Sequence, residues 1–151
     1  MIIFNSEIVD IPALDFPAVE SWIKEVAAAH GFTVGRLSYL FVDDETILDQ
    51  NRKFLNHDFY TDIITFDYTH RNRVSGDMII SLDTVRSNSE MVGESYGREL
   101  LRVSFMASCT SAESTTKDRV KGKSWKCMRT MLWLSSLLPS LLLYNSTISF
   151  V

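Results

Sequence analysis

Leu37-Ser38-Tyr39-Leu40-Phe41-Val42-Asp43-Asp44-Glu45-Thr46-Ile47-Leu48 is the stretch on which the reading of this chain turns. Its first six residues are aromatic and aliphatic enough for a buried strand. Asp43-Asp44 then supplies side-chain acceptors for the unpaired N–H groups at a helix start. Ile47, Leu48, Asn51 and Leu55 follow at helical spacing. The segment therefore reads as a strand running directly into a capped helix.

Working outward toward the N-terminus, Phe16 to Ala29 carries Val19, Trp22, Ile23 and Val26 at helical spacing, and Gly31 suits the left-handed position that closes a helix. Ile2 to Asn5 is short and apolar and reads as a first strand. Toward the C-terminus, Ile63 to Tyr68 and Met78 to Leu82 read as strands, with the polar stretch Thr69 to Gly76 as a hairpin loop between them. Asp83 is placed to cap a helix over Thr84 to Met91, and Ser95 to Val103 continues as another.

The periodicity stops at Ser104. Met106 to Lys117 is rich in Ser, Thr, Ala and Cys without an apolar face, Lys117 to Arg129 is basic, and Met131 to Val151 is Leu-rich but interrupted by Pro139 and by Tyr144-Asn145-Ser146-Thr147. Charge breaks at the same place. Residues 1–105 carry 9 Lys and Arg against 17 Asp and Glu, whereas residues 106–151 carry 6 against 2. Such asymmetry marks either a basic arm on an acidic domain or a segment of different coding history.

With 46% hydrophobic and 23% charged residues the composition is globular, and 151 residues suffice for one core burying roughly 70% of the unfolded surface. Met1-Ile2-Ile3-Phe4-Asn5 has neither a basic region nor a long apolar run, so a cytoplasmic location is expected. Cys109 and Cys127 have no Cys or His at metal spacing and are expected to be free thiols.

The stretch Asn51-Arg52-Lys53-Phe54-Leu55-Asn56-His57-Asp58-Phe59-Tyr60-Thr61-Asp62-Ile63-Ile64-Thr65-Phe66 resembles a signature of the YbeY-type endoribonucleases. Gly76-Asp77-Met78-Ile79-Ile80-Ser81 resembles the family's next strand, and Asp83-Thr84-Val85 with Gly97-Arg98-Glu99-Leu100-Leu101-Arg102-Val103 resembles the helices that lead to its metal motif. The resemblance implies an α/β (α+β) fold for residues 1–103, a small twisted mixed sheet with surrounding helices. It implies zinc-dependent hydrolysis of single-stranded RNA in ribosomal RNA maturation and quality control of the small ribosomal subunit. On that reading Arg52, His57, Asp58 and Thr61 bind substrate, and His57 and Asp62 are catalytic. Plainer readings stand beside these: Thr61 and Asp62 satisfying backbone N–H groups of a loop, His57 an inert loop residue, and Gly76-Asp77 the end of a hairpin turn. Relatives carry an Arg after the aromatic that here is Phe54, where this chain has Leu55.

The family's ligands are two His at i and i+4 of a helix and a third residue after a glycine turn, leaving a position open for water, whose pKa zinc would lower to about 7. The corresponding place here reads Val103-Ser104-Phe105-Met106-Ala107-Ser108-Cys109-Thr110, and no His follows His70. Phe105 to Glu113 can be written TTC ATG GCA TCC TGC ACC TCT GCG GAA. Read one base earlier, those bases encode His-Gly-Ile-Leu-His-Leu-Cys-Gly, and the same frame continues through an Asp at the third-ligand position into an acidic helix.

We therefore read residues 1–105 as the family-like domain and residues 106–151 as an out-of-frame tail, through a sequencing error or a true loss of one base. No zinc and no membrane association are expected for the chain as it stands. The alternative is a non-enzymatic acidic α/β module whose basic, Leu-rich tail binds RNA or a membrane.

Overall fold

The computed structural model describes residues 1–56, 58 and 60–113, with side chains as far as Ser104. Its elements in chain order are β1 (Ile2–Ser6), α1 (Phe16–Ala29), β2 (Thr33–Val42), α2 (Asp44–Leu55), β3 (Ile63–Asp67), β4 (Arg73–Ser81), α3 (Leu82–Val92) and α4 (Tyr96–Glu113). The strands form one mixed sheet in the order β1-β2-β4-β3. β1, β2 and β4 are parallel, and β3 runs antiparallel to β4 at the edge. The α/β fold expected from the sequence is the fold observed.

Alternation along the strands sends their side chains into two cores. Leu37, Tyr39 and Phe41 of β2 and Met78 and Ile80 of β4 face the larger one, which α1 closes with Val19 and Ile23, α3 with Val85, and α4 with Leu100, Leu101 and Val103. Burying a side chain such as Leu100 stabilises the fold by about 1.5–3 kcal/mol. On the opposite face Val42, Ile64 and Ile79 form a smaller core with Ile47 of α2. Phe4 of β1 stacks on Tyr39, with centroids 5.0 Å apart, and joins the edge strand to the larger core.

Helix ends follow their sequence signals. Asp15 accepts a hydrogen bond from the Ala18 N–H, and Asp43 accepts one from Thr46 at 2.8 Å. α1 closes as expected at Gly31, whose φ of 79° lets its N–H reach the Ala28 carbonyl while Phe32 reaches Ala27.

Several boundaries differ from the sequence reading: β2 begins at Thr33 rather than Leu37, and Leu82, read as strand, opens α3. β4 begins at Arg73, so the segment from Arg73 to Gly76, expected as loop, is strand; Val74 is buried there while Arg73 and Ser75 project from the other face. The cap of α3 is Ser81, which accepts from the Thr84 N–H, and not Asp83, which lies inside the helix. α4 continues past Ser104 to Glu113, although the sequence loses its amphipathic period there. The remainder of the tail, residues 114–151, lies outside the described residues. Among the described residues no helix is long and apolar enough to cross a membrane.

Candidate functional site at the start of β3

The loop that follows α2 returns the chain to the sheet at Asp62, beside the end of β4. Asn56, in the left-handed conformation, closes α2, and the chain rejoins the sheet where the Asp62 carbonyl accepts a hydrogen bond from the Ser81 N–H at 3.0 Å. The antiparallel register, Ile63 opposite Ile80, then places the first residue of β3 next to the last residues of β4. Because β2 and β4 are parallel, the N-termini of α2 and α3 emerge at this same end, with Val42 paired to Ser81.

Those two helix starts are fastened to each other. The Asp44 carboxylate accepts from the hydroxyl of Ser81 and, at 2.6 Å, from that of Thr84. In return Asp83 accepts from the Asp44 N–H at 3.2 Å. The sequence reading named Asp44 and Asp83 as helix caps and not as partners, because Asp44 and Thr84 meet only when β2 and β4 are neighbours.

The expected site residues fall into two groups. Arg52, in the last turn of α2, pairs with Asp58 at 2.6 Å and lies 3.7 Å from Asp49. The hydrogen bond that Arg52 donates to Asp58 raises the Arg52 pKa above its ordinary value, so the guanidinium stays charged. Thr61 donates its hydroxyl to the carbonyl of Ile63 at 3.2 Å, a bond to a carbonyl rather than to the backbone N–H of the plainer reading. Asp62 is half-buried, and its charge reaches Arg102 of α4. His57 lies outside the described residues.

Arg102 is the residue of this end that the sequence reading quoted without a role. Its guanidinium is bound to Glu99, a carboxylate 2% exposed, through Nε at 2.8 Å and Nη2 at 2.5 Å. The Glu99 hydrogen bond is the main cause that raises its pKa, and burial works against it. Spacing of i and i+3 on a helix was the available signal. The pair with Glu99 fixes the guanidinium on the surface of α4.

Among the described residues no three His, Cys, Asp or Glu side chains converge in a way that could hold a metal ion. The described donors therefore do not fit a zinc ion, and no chemical step is assigned to one here.

The fold and this end of the sheet define a class, an α/β domain with a mixed four-stranded sheet and helices on both faces. A solution structure of the Thermotoga maritima protein TM1509 shares the fold, with a TM-score of 0.61, 16% identity and full coverage of both chains. Family membership follows from sequence: the profile described as Endoribonuclease YbeY matches residues 8–105. An Endoribonuclease YbeY of Phocaeicola vulgatus is 52% identical over 103 residues, 68% of this chain and 75% of the relative. One from Parabacteroides distasonis is 52% identical over 101 residues, 67% and 71% of the two chains. The chain belongs to the YbeY endoribonuclease family.

Proposed function

We propose that this domain serves hydrolysis of single-stranded RNA in ribosomal RNA maturation, acting on the small ribosomal subunit in the cytoplasm, and that the chain as written has lost the family's zinc ligands through one missing base. The observation that carries the proposal is the coincidence of three boundaries. The family profile ends at residue 105, the charge balance inverts there, and the bases around Phe105 to Glu113 can encode two His at i and i+4 in the adjacent frame. In this reading residues 1–105 supply the substrate side of the site. Arg52, held by Asp58, and Arg102, held by Glu99, present cations to the RNA backbone, and His57 and Asp62 are the candidates for proton transfer.

The test compares the chain as written with one in which a single T is inserted at the Val103-Ser104 codons. The repaired protein is expected to copurify with about one zinc per chain, the stoichiometry of a single catalytic site, and to cut an unstructured RNA. The chain as written is expected to do neither. Tight zinc binding and cleavage by the chain as written would refute the lost-frame reading, and a repaired chain without zinc would refute the functional one.

A further inference from the structure

The face of the sheet opposite α4 is only half covered. Among the described residues α2 is the one helix that packs on it, and its contacts end with Leu40, Ile64, Phe66 and Ile79. Alternation puts Tyr68 on the same face as Ile64 and Phe66, and puts Arg73 and Ser75 there too, since Val74 points into the larger core. The sequence registers this change along each strand. On β4 the residues of this face run Arg73, Ser75, Asp77 and then Ile79, apolar only where α2 arrives. Along β3 and just beyond it, burial falls from Ile64 through Phe66 to Tyr68, which is 60% exposed.

Two kinds of group collect on the uncovered half. Tyr68, just past the end of β3 where its N–H still donates to the Ser75 carbonyl, is two residues from Phe66 and about 7 Å from it by the strand rise, and Phe54 from the end of α2 meets Phe66 edge-on at 5.4 Å while remaining 58% exposed. Arg73 reaches back over the bulge of β2, where a Cβ on Gly35 would come within 2.9 Å of its Nε. Arg36 in that bulge, Arg71 in the hairpin and Lys53 beside Phe54 are all exposed. Among the described residues the ion pairs engage Lys24, Arg52, Arg98 and Arg102, and none of these four cations. Acids on the same elements are Asp67, which accepts from the Thr69 N–H, the half-buried Asp77, and the exposed Asp49 one turn before Lys53. In a domain whose charge is otherwise acidic, this end of the sheet carries the opposite sign.

We propose that this open face is a second RNA-binding surface, separate from the α4 side, that takes single-stranded RNA by stacking bases on Tyr68 and the Phe54–Phe66 pair and holding the backbone with Arg36, Arg73 and Lys53. Exposed aromatic rings on a sheet with cations at its margin bind single strands without reading sequence, because every base offers a π-face. A duplex hides those faces and can use only the cations. The surface would hold the substrate strand beyond the end of α2, away from the candidate site at the start of β3. This inference rests on RNA being the substrate.

The experiment uses the full chain as written and a fluorescein-labelled oligouridine, read by anisotropy at several salt concentrations. Tyr68→Ala is expected to weaken binding roughly 5- to 100-fold, the range for loss of one stacked base. Phe54→Leu, which keeps the packing on Phe66 but removes the ring, is expected to weaken it within the same range. The double variant Arg36→Gln/Arg73→Gln is expected to reduce the slope of log K against log salt by about 1.4, two phosphates at about 0.7 each. Unchanged thermal midpoints show that the variants fold. Undiminished binding by Tyr68→Ala, or equal competition by a blunt RNA duplex, overturns the proposal. So does a dimer of the parent chain that Tyr68→Ala dissociates, which would give the face to a second copy. If the frame-repaired chain cuts RNA while Tyr68→Ala binds normally, only this inference fails; if the repaired chain neither binds nor cuts, the functional reading fails with it.

Discussion

Glu99 and Arg102 form an ion pair across the surface of α4, with the carboxylate 2% exposed and the guanidinium side chain 45% exposed. The pair is unequal, and the inequality has an energetic consequence. Removing the arginine leaves a buried carboxylate without its donor, and breaking a buried pair from one side costs about 3–5 kcal/mol. Removing the glutamate leaves a guanidinium that turns to water, for which surface pairs give a cost near ~1 kcal/mol or less. Arg102→Leu is therefore expected to lose about 3 kcal/mol, the low end because water reaches the pair, and Glu99→Leu less than about 1 kcal/mol. Urea unfolding of both variants measures the difference, and equal losses would show that Glu99 is not held in its position by the arginine.

Asp43 links stability to pH at the start of α2. Its hydrogen bond to Thr46 favours the ionised form and lowers its pKa below 3.8 in the folded chain. A carboxyl group that is more acidic when folded contributes stability that is complete above its unfolded pKa and is lost as pH falls through the folded one. Asp43→Asn keeps an N-cap acceptor but cannot titrate. The parent is expected to be more stable than Asp43→Asn at pH 6, with the gap closing as pH drops below about 4. Thermal unfolding across pH 3 to 6 reads this directly, and a gap independent of pH would mean that the cap acts without its charge.

The sequence made most of this fold legible because local signals and burial agree. α1 occupies Phe16 to Ala29 as its apolar spacing required, and β2 passes into α2 through the Asp43 cap. The readings that failed did so where tertiary context acts alone. Arg73 and Ser75 looked like loop because polar residues alternate there, and they alternate because α2 does not reach that end of the face. Ser81 displaced Asp83 as the cap because Ser81 also reaches Asp44, 37 residues away in the chain. The site was less legible than the fold. Arg52 at the end of α2 and Asp58 in the loop after it are close in the chain, but Arg102 is brought to this end of the sheet only through the packing of α4 on β3 and β4.

Gly35 shows how closely β2 and β4 approach at the bulge. The register shifts between Val34 and Leu37, and the Met1 ammonium donates to the Gly35 carbonyl at 2.6 Å. A Cβ at this position would lie 2.3 Å from Ser75 Oγ and 2.9 Å from Arg73 Nε. Both obstacles belong to side chains, so the strain can be relieved by moving them, and the cost should match ordinary overpacking at about 1–3 kcal/mol. Gly35→Ala is expected to fall in that range. Because the shorter contact is to Ser75, the double variant Gly35→Ala/Ser75→Ala should recover more than half of the loss, whereas Ser75→Ala alone should change stability by less than about 0.5 kcal/mol. A double-mutant cycle in urea tests this coupling. Additive losses would place the strain in the strand backbone rather than in the meeting of these two side chains.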